Sequence, residues 1–292
     1  MLKNSKTNKI KPFNQITIIG IGLIGGSLGR DFFAKKLAKA VVGFDLNTAT
    51  LNYAKKNKII SAKATSLKSA VMDADLIILA APVRTIKKHI KEIAPWVKQT
   101  TLVIDVGSTK TGINTTAKKY FPKGNFVGCH PMAGSENSGI TASLAGLFAN
   151  APCIIVPAQN SKKYFIKQAQ LLWPTLGART VLMDQNNHDK SLAACSHLPH
   201  ILSFALMQSA VNTVSLRQLK LIAGNSFKSY TRIAGSDAKM WTDIFLDNQQ
   251  NTLKQIQAFA KELSTLTKAI KSSNESLLFN YIAQVAKIRR KM

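Results

Sequence analysis

Residues 16–28 constrain the fold more than any other stretch. Ile16-Thr17-Ile18-Ile19 is a β-branched run of the kind found in strands buried on both faces. Gly20-Ile21-Gly22-Leu23-Ile24-Gly25 follows with no residue between, and Gly26-Ser27-Leu28 then opens a helix. Three glycines at this spacing, between a strand and a helix, have separate physical tasks. The first permits a tight turn, the second lets a pyrophosphate approach the main chain, and the third lets helix and strand pack closely. Backbone N–H groups at the helix start then face the phosphates. A second run, Val41-Val42-Gly43-Phe44, ends at Asp45, twenty residues after Gly25. A carboxylate there accepts hydrogen bonds from ribose hydroxyls and repels a 2′-phosphate, which favours NAD over NADP.

The alternation continues along the chain. Strand-like runs occupy residues 75–82, 102–108, 125–128, 153–157 and 180–183, with a helical segment over 162–176. Strands spaced by helices mean βαβ units and a mainly parallel sheet. No strand-like run follows Met183. The expected fold is therefore α/β: an N-terminal Rossmann-type doubly wound, mainly parallel sheet followed by an all-helical C-terminal domain. The expected divisions are a basic tail over residues 1–14, a dinucleotide-binding domain over 15–184, and a helical substrate-binding and dimerisation domain over 185–292. Strand ends at Gly20, Asp45, Ala81, Ser108 and His130 should line one rim, where open α/β sheets bind ligands. The cofactor-binding set expected from this is Gly20, Gly22, Leu23, Ile24, Gly25, Asp45, Ala81 and Pro82.

Composition narrows the function classes. The 292 residues carry a formal net charge of +26, which raises nucleic acid, an anionic membrane or an anionic substrate as partners. The lysines are scattered over the whole chain, and aromatics do not interleave with them as base stacking requires. A basic surface that attracts small anions is the better reading, with no nucleic acid and no membrane partner. Three widely spaced cysteines, Cys129, Cys153 and Cys195, argue against a disulfide framework or a metal site and for a reducing, cytoplasmic compartment. The basic residues from Lys3 to Lys11 ahead of an apolar stretch superficially resemble a secretion signal. The apolar part holds five glycines and runs straight into Arg30-Asp31, so it reads as strand, turn and helix.

The chemistry is expected at Gly128-Cys129-His130-Pro131-Met132-Ala133-Gly134-Ser135-Glu136, just past the apolar pair Phe126-Val127. His130 is the natural proton acceptor, because an unperturbed imidazole titrates at about pH 6.5. Its sequence neighbour Cys129 should point the other way. Residues 186–208 read as one helix with His188, Ser196 and His200 near one face and a kink at Pro199. Arg232 precedes a helix that Ser236 or Asp237 can cap, and its planar guanidinium suits a carboxylate. Ile256, Phe259, Leu263, Leu266 and Ile270 recur at steps of 3, 4, 3 and 4, a seam for another helix or a second subunit.

Taken together, the chain resembles the prephenate dehydrogenase family of tyrosine biosynthesis, arogenate dehydrogenases included. The resemblance runs from Gly20 to about Asp247. Its most specific segments are Asp105-Val106-Gly107-Ser108-Thr109-Lys110, His130-Pro131-Met132-Ala133-Gly134-Ser135-Glu136, His188-Asp189 with Ser196-His197-Leu198-Pro199-His200, and Thr231-Arg232-Ile233-Ala234 with Ser236-Asp237 and Trp241. The resemblance implies oxidative decarboxylation with NAD. His130 would take the proton of a ring hydroxyl, with Ser108 orienting it. Arg232 would bind a substrate carboxylate, His200 and Trp241 would contact the side chain, and Ser196, Ser135 and Glu136 would lie nearby. It also implies a homodimer through the helical domain. Prephenate and arogenate both remain open as substrates. A hydroxy-acid or imino-acid dehydrogenase of similar architecture is a weaker alternative, since it would not need the 130–136 segment. A nucleic-acid-binding protein on this fold is the remaining alternative.

Overall fold

The computed structural model describes residues 10–135 and 137–292. Most of the expected basic tail (residues 1–9 of 1–14) lies outside them, and Phe13 and Asn14 belong to the first strand. Among the described residues eight strands form one sheet: β1 (Phe13–Ile19), β2 (Ala38–Phe44), β3 (Ala62–Lys63), β4 (Leu76–Leu79), β5 (Leu102–Asp105), β6 (Phe126–Pro131), β7 (Pro152–Pro157) and β8 (Arg179–Leu182). Their spatial order is β3-β2-β1-β4-β5-β6-β7-β8. Each pair is parallel except β6 with β7. The helices that accompany the sheet are α1 (Leu23–Ala34), α2 (Thr48–Lys56), α3 (Leu67–Val71), α4 (Val83–Ile93), α5 (Thr111–Tyr120) and α6 (Lys163–Thr175). After β8 come only helices: α7 (Gln185–Leu192), α8 (Leu198–Thr213), α9 (Leu216–Ile222), α10 (Asn225–Thr231), α11 (Ala238–Asp247), α12 (Gln249–Lys271) and α13 (Glu275–Arg289).

The central strands β4 to β6 and the inner part of β1 are buried on both faces. Ile16, Ile18, Leu76, Ile78, Leu102, Ile104, Val127 and Cys129 pack on one face. Ile19, Ile77, Leu79, Val103 and Phe126 pack on the other. That is the period of two of a strand, read out on two buried sides.

The chain forms two compact units, Met1–Asn248 and Gln249–Met292. The first holds the sheet and every helix through α11. The second is a helix pair: Asn274 caps α13 by accepting from the Leu277 N–H at 2.9 Å, and the Tyr281 hydroxyl donates to Glu262 at 2.9 Å. Phe259, Leu263 and Ile270 of the expected seam are exposed on α12, as are Leu277, Ile282 and Val285 on α13. Among the described residues no helix is long and apolar enough to cross a membrane.

The strand order reverses between β1 and β4, so the connections leaving them run to opposite sides and open a crevice at their carboxyl ends. Gly20 sits there with φ +93°, and a Cβ would stand 2.6 Å from the Ala80 carbonyl oxygen. A Cβ on Gly25 would stand 2.0 Å from the Gly20 carbonyl oxygen, so helix and turn touch main chain to main chain. A Cβ on Gly22 would meet nothing within 4 Å. The helix begins at Leu23, three residues before the sequence suggests, because the turn leads directly into helical geometry. Gly25→Ala is expected to lower stability by about 1–3 kcal/mol through overpacking, and Gly22→Ala to change it by less than about 0.5 kcal/mol. Urea unfolding of the two variants checks this, and equal losses would contradict it.

Candidate active site

A cavity of about 470 Å³ opens at that crevice. Gly22, Leu23 and Ile24 form one wall, with Ala81 and Pro82 beside them. Ser108 lines it from the turn after β5, His130 from β6 itself and Ser135 from the segment after β6, and Met240 and Ile244 close it from α11. Gly20 and Gly25 lie behind the wall and shape it. Asp45 also works from behind: its Oδ2 accepts from the Ile21 N–H at 2.8 Å and its Oδ1 from the Asn47 N–H at 2.9 Å. This braces the glycine turn, and each carboxylate oxygen keeps lone-pair capacity for a hydroxyl. Gly22 precedes α1 with no side-chain cap, so free N–H groups and open space coincide. Both features fit a pyrophosphate.

His130 lies inside β6 rather than past its end. The antiparallel partner β7 carries the strand on through Pro131, which pairs with Cys153, and sets His130 opposite Ile154. Cys129 points to the other face and into the core. His130 is buried, with its edge at the cavity. Its Nδ1 lies 2.9 Å from His188 Nε2, and His188 Nδ1 lies 2.8 Å from Asp189 Oδ1. Asp189 also accepts from the backbone N–H groups of Lys110 and Thr111, each at 2.8 Å. The three side chains form a buried line running from the cavity to the start of α5.

Beneath that line lies a fully buried ion pair. Lys110 Nζ donates to Asp105 Oδ2 at 2.7 Å, to the Gly107 carbonyl at 2.6 Å and to the Thr109 carbonyl at 3.2 Å. Asp105 in turn accepts from the Gly107 N–H at 2.8 Å. The pair closes the 105–110 turn from inside and thereby holds Ser108 at the cavity. Gly128 makes room for it, since a Cβ there would stand 3.0 Å from the Lys110 stem and 2.6 Å from the Val156 carbonyl. Below α4, Asp247 accepts from the Thr109 hydroxyl at 2.6 Å and pairs with Lys87.

The expected substrate residues of the helical segment form a second, adjoining group. The run expected over 186–208 is helical but widened into a π turn over residues 193–197, where the Leu198 N–H donates to the Ala193 carbonyl five residues back. Pro199 has no N–H to give, and the wider turn accommodates that loss. His200 Nδ1 lies 2.9 Å from the Ser196 carbonyl, and the His200 ring stacks on Trp241 with centroids 3.5 Å apart. The Ser196 contribution is thus a main-chain one. Arg232 occupies a 3₁₀ turn rather than an open loop, near enough to His200 to oppose its protonation. His197 meets the edge of Trp241 at 6.1 Å and accepts from the Asn248 amide at 3.2 Å. Asp237, not Ser236, caps α11, by accepting from the Met240 N–H at 2.7 Å. Ser196, His200, Arg232 and Trp241 are not among the residues that line the cavity. Glu136 lies outside the described residues.

Burial holds these imidazoles neutral. His130 is pushed well below the usual histidine range by desolvation, then by the charge of Lys110 and by His188 and His197. Desolvation likewise lowers His188, against its bond to Asp189, and lowers His197 to about 4. Desolvation pushes Asp189 up, but hydrogen bonds from His188 and Thr111 outweigh it and hold the carboxyl below its usual range. A neutral imidazole at the mouth of a nucleotide-shaped cleft can take a proton from an alcohol while a hydride leaves the same substrate.

Comparison with known proteins accounts for nearly the whole chain. A family profile described as "Prephenate dehydrogenase, nucleotide-binding domain" matches residues 28–182, and one described as "Prephenate dehydrogenase, dimerization domain" matches residues 184–284. The chain belongs to the prephenate dehydrogenase family. It is 32% identical to a cyclohexadienyl dehydrogenase of Zymomonas mobilis over 95% of each chain. It is 33% identical to a prephenate dehydrogenase of Bacillus subtilis, over 91% of this chain and 72% of that one. The crystal structure of Aquifex aeolicus prephenate dehydrogenase, solved with hydroxyphenyl propionate and NAD+, matches with a TM-score of 0.88 at 30% identity, over 98% of this chain and 99% of that one. The protein is thus an oxidoreductase of the prephenate/arogenate dehydrogenase family, associated with aromatic amino acid biosynthesis.

Within this family member, sequence reasoning assigned no task to Lys110, Asp105, Asp189 or His197. Asp105-Lys110 and His188-Asp189 stood in the family-specific segments, which was the one signal available for them. The buried histidines have a consequence for stability. The unfolded chain binds protons at each of them near pH 6.5 and the folded chain does not, so stability is complete above that pH and is lost as pH falls below it. His197 alone is expected to remove about 2 kcal/mol between pH 7 and pH 5, with His130 and His188 acting in the same sense and the raised Asp31 and Asp105 in the opposite one. Urea-unfolding free energies at pH 7.5 and 5.0 check this, and a flat profile would contradict it.

Proposed function

We propose that the protein oxidises prephenate with NAD+ to 4-hydroxyphenylpyruvate, releasing carbon dioxide. The observation that carries this is the shared cavity of His130, Ser108 and the Gly22–Ile24 turn. Bound NAD+ supplies the hydride acceptor. Gly22 through Ile24, Ala81 and Pro82 hold the dinucleotide, and Asp45 binds its ribose. His130 Nε2 accepts the proton of the ring hydroxyl, and Ser108 orients that hydroxyl. The ring carboxylate leaves as carbon dioxide once the hydride has gone, the electron pair of the broken C–C bond aromatises the ring, and the resulting phenolate oxygen takes the proton back from His130. Arg232 grips a carboxylate of the substrate, with His200 and Trp241 against the side chain and Ser135, Ser196 and Glu136 close by. Arg232 beside a neutral His200 favours a keto-acid side chain over the ammonium group of arogenate.

The remaining assignments follow from the same reading. The boundary between dinucleotide-binding and substrate-binding domains falls at residues 184–185. The exposed apolar stripe on α12 is the homodimer face. Three free thiols suit the cytoplasm, and the +26 charge draws a dianionic substrate rather than nucleic acid.

The test is NADH formation with prephenate and with arogenate, each with NAD+ and NADP+. Prephenate with NAD+ is expected to give the highest kcat/KM, and no turnover of either substrate would overturn the reading. His130→Asn is expected to lower kcat by about 10²–10⁴-fold, the share of a positioned base. Arg232→Ala is expected to raise KM by about 10–100-fold, as loss of a charge-assisted pair requires. Normal turnover in the first variant, or unchanged KM in the second, would remove that residue from its role.

A further inference from the structure

A base must present a lone pair, and a neutral imidazole has only one. Which nitrogen of His130 carries it is decided by neighbours one and two side chains away. An ionised carboxylate accepts and never donates. Asp189 already accepts from the N–H groups of Lys110 and Thr111 and stands 2.8 Å from His188 Nδ1, so that nitrogen must be the donor. Neutral His188 then has its lone pair on Nε2. Nε2 faces His130 Nδ1 at 2.9 Å, and one hydrogen must lie between them. It belongs to His130. The lone pair of His130 is left on Nε2, the nitrogen remaining for the cavity that the ring lines.

We propose that His188 and Asp189 are positioning residues for the reaction: they lock His130 in the Nδ1–H tautomer, so that Nε2 is a proton acceptor in the cavity. Both are buried, and three elements converge to hold them: β6, the first residues of α5, and α7. The Asn248 amide donates to the Asp189 carbonyl at 2.7 Å and pins α7 from the far side. When His130 takes a proton, its Nδ1–H still points at a lone pair, with the Asp189 charge one ring further on. The proton itself need not travel along the line. The charged and titratable groups around His130 are Lys110, His188 and His197, and those around His188 are Asp105, Asp189 and Lys110. A merely structural pair would satisfy its own hydrogen bonds but would not need one particular tautomer on its neighbour.

The proposal rests on His130 as the base, yet its test is separable. The chain has five histidines, so the full-length protein labelled with 15N-histidine gives a resolvable set of ring correlations, assigned by single substitutions. At pH 7.5 His130 is expected to be protonated at Nδ1 and unprotonated at Nε2. His188→Leu is expected to lose that preference and to lower kcat by about 10²–10⁴-fold, the range for a positioned base or its mis-set tautomer, with KM within about threefold. His188→Gln places an amide oxygen near the former Nε2. It is expected to keep the Nδ1–H tautomer and to recover about tenfold or more of the lost kcat. A wild-type His130 protonated at Nε2 overturns the proposal, as does His188→Leu with kcat within about twofold of wild type. Should the leucine variant fail to fold, the wild-type tautomer and the glutamine variant decide. If prephenate is not oxidised at all, the tautomer still decides the role of His188 and Asp189; if it is oxidised and His130 carries Nε2–H, only this proposal falls.

Discussion

One carboxylate withdrawn from water organises the half of the candidate site that holds His130. Asp189 takes three hydrogen bonds on its side chain and one on its carbonyl, from His188, Lys110, Thr111 and Asn248. These donors come from α7, the turn after β5, the start of α5 and the end of α11. A buried charge survives only when it is fully hydrogen-bonded, so the site is specified by the need to satisfy Asp189. With it satisfied, His188 has one orientation, and His130 has a fixed partner behind it. Burial, and after it the charge of Lys110, keeps His130 from binding a proton in the resting state.

The other half of the site comes from topology. The reversal of strand order between β1 and β4 opens a crevice beside Gly22, and α1 points its uncapped N-terminus into it. The antiparallel return of β7 extends β6 by enough residues to bring His130 to the same place. The crevice beside Gly22 and the His130 ring therefore meet because two separate features of one sheet end at one rim. His200 stacks on Trp241 of α11, the helix whose Met240 and Ile244 face the cavity.

Much of this was legible in residue order. Strands β4 to β7 and the inner parts of β1 and β2 announce themselves, because a strand buried on both faces must be continuously apolar, and β8 shows in sequence through its apolar run at Val181 to Met183 although it is largely exposed. The two exposed residues of β3 carry no such mark. The end of β6 was set too early: Gly128-Cys129-His130-Pro131 looks like a loop until β7 pairs with it. The rule for open α/β sheets puts Gly20, Asp45, Ala81, Ser108 and His130 on one rim; Ala81, Ser108 and His130 line the cavity, while Gly20 and Asp45 stand behind its wall. The His130–His188 contact was not legible, since 58 residues and no periodicity separate them. Nor was the burial of Lys110, one basic residue among 40. Its place depends on a side chain folding back under its own turn and on the missing Cβ of Gly128. Interactions that cross from sheet to helix leave no period to read.

The central claim is that a dry, neutral imidazole at the rim of the dinucleotide cleft serves as the base, kept neutral by burial and by Lys110. The most direct measurement is the pH dependence of kcat/KM for prephenate with NAD+, which reports the ionisation of the free enzyme. The acid limb is expected to lie well below pH 6.5, because the proton-binding tendency of His130 is depressed. An acid limb at pH 6.5 or above would contradict the account.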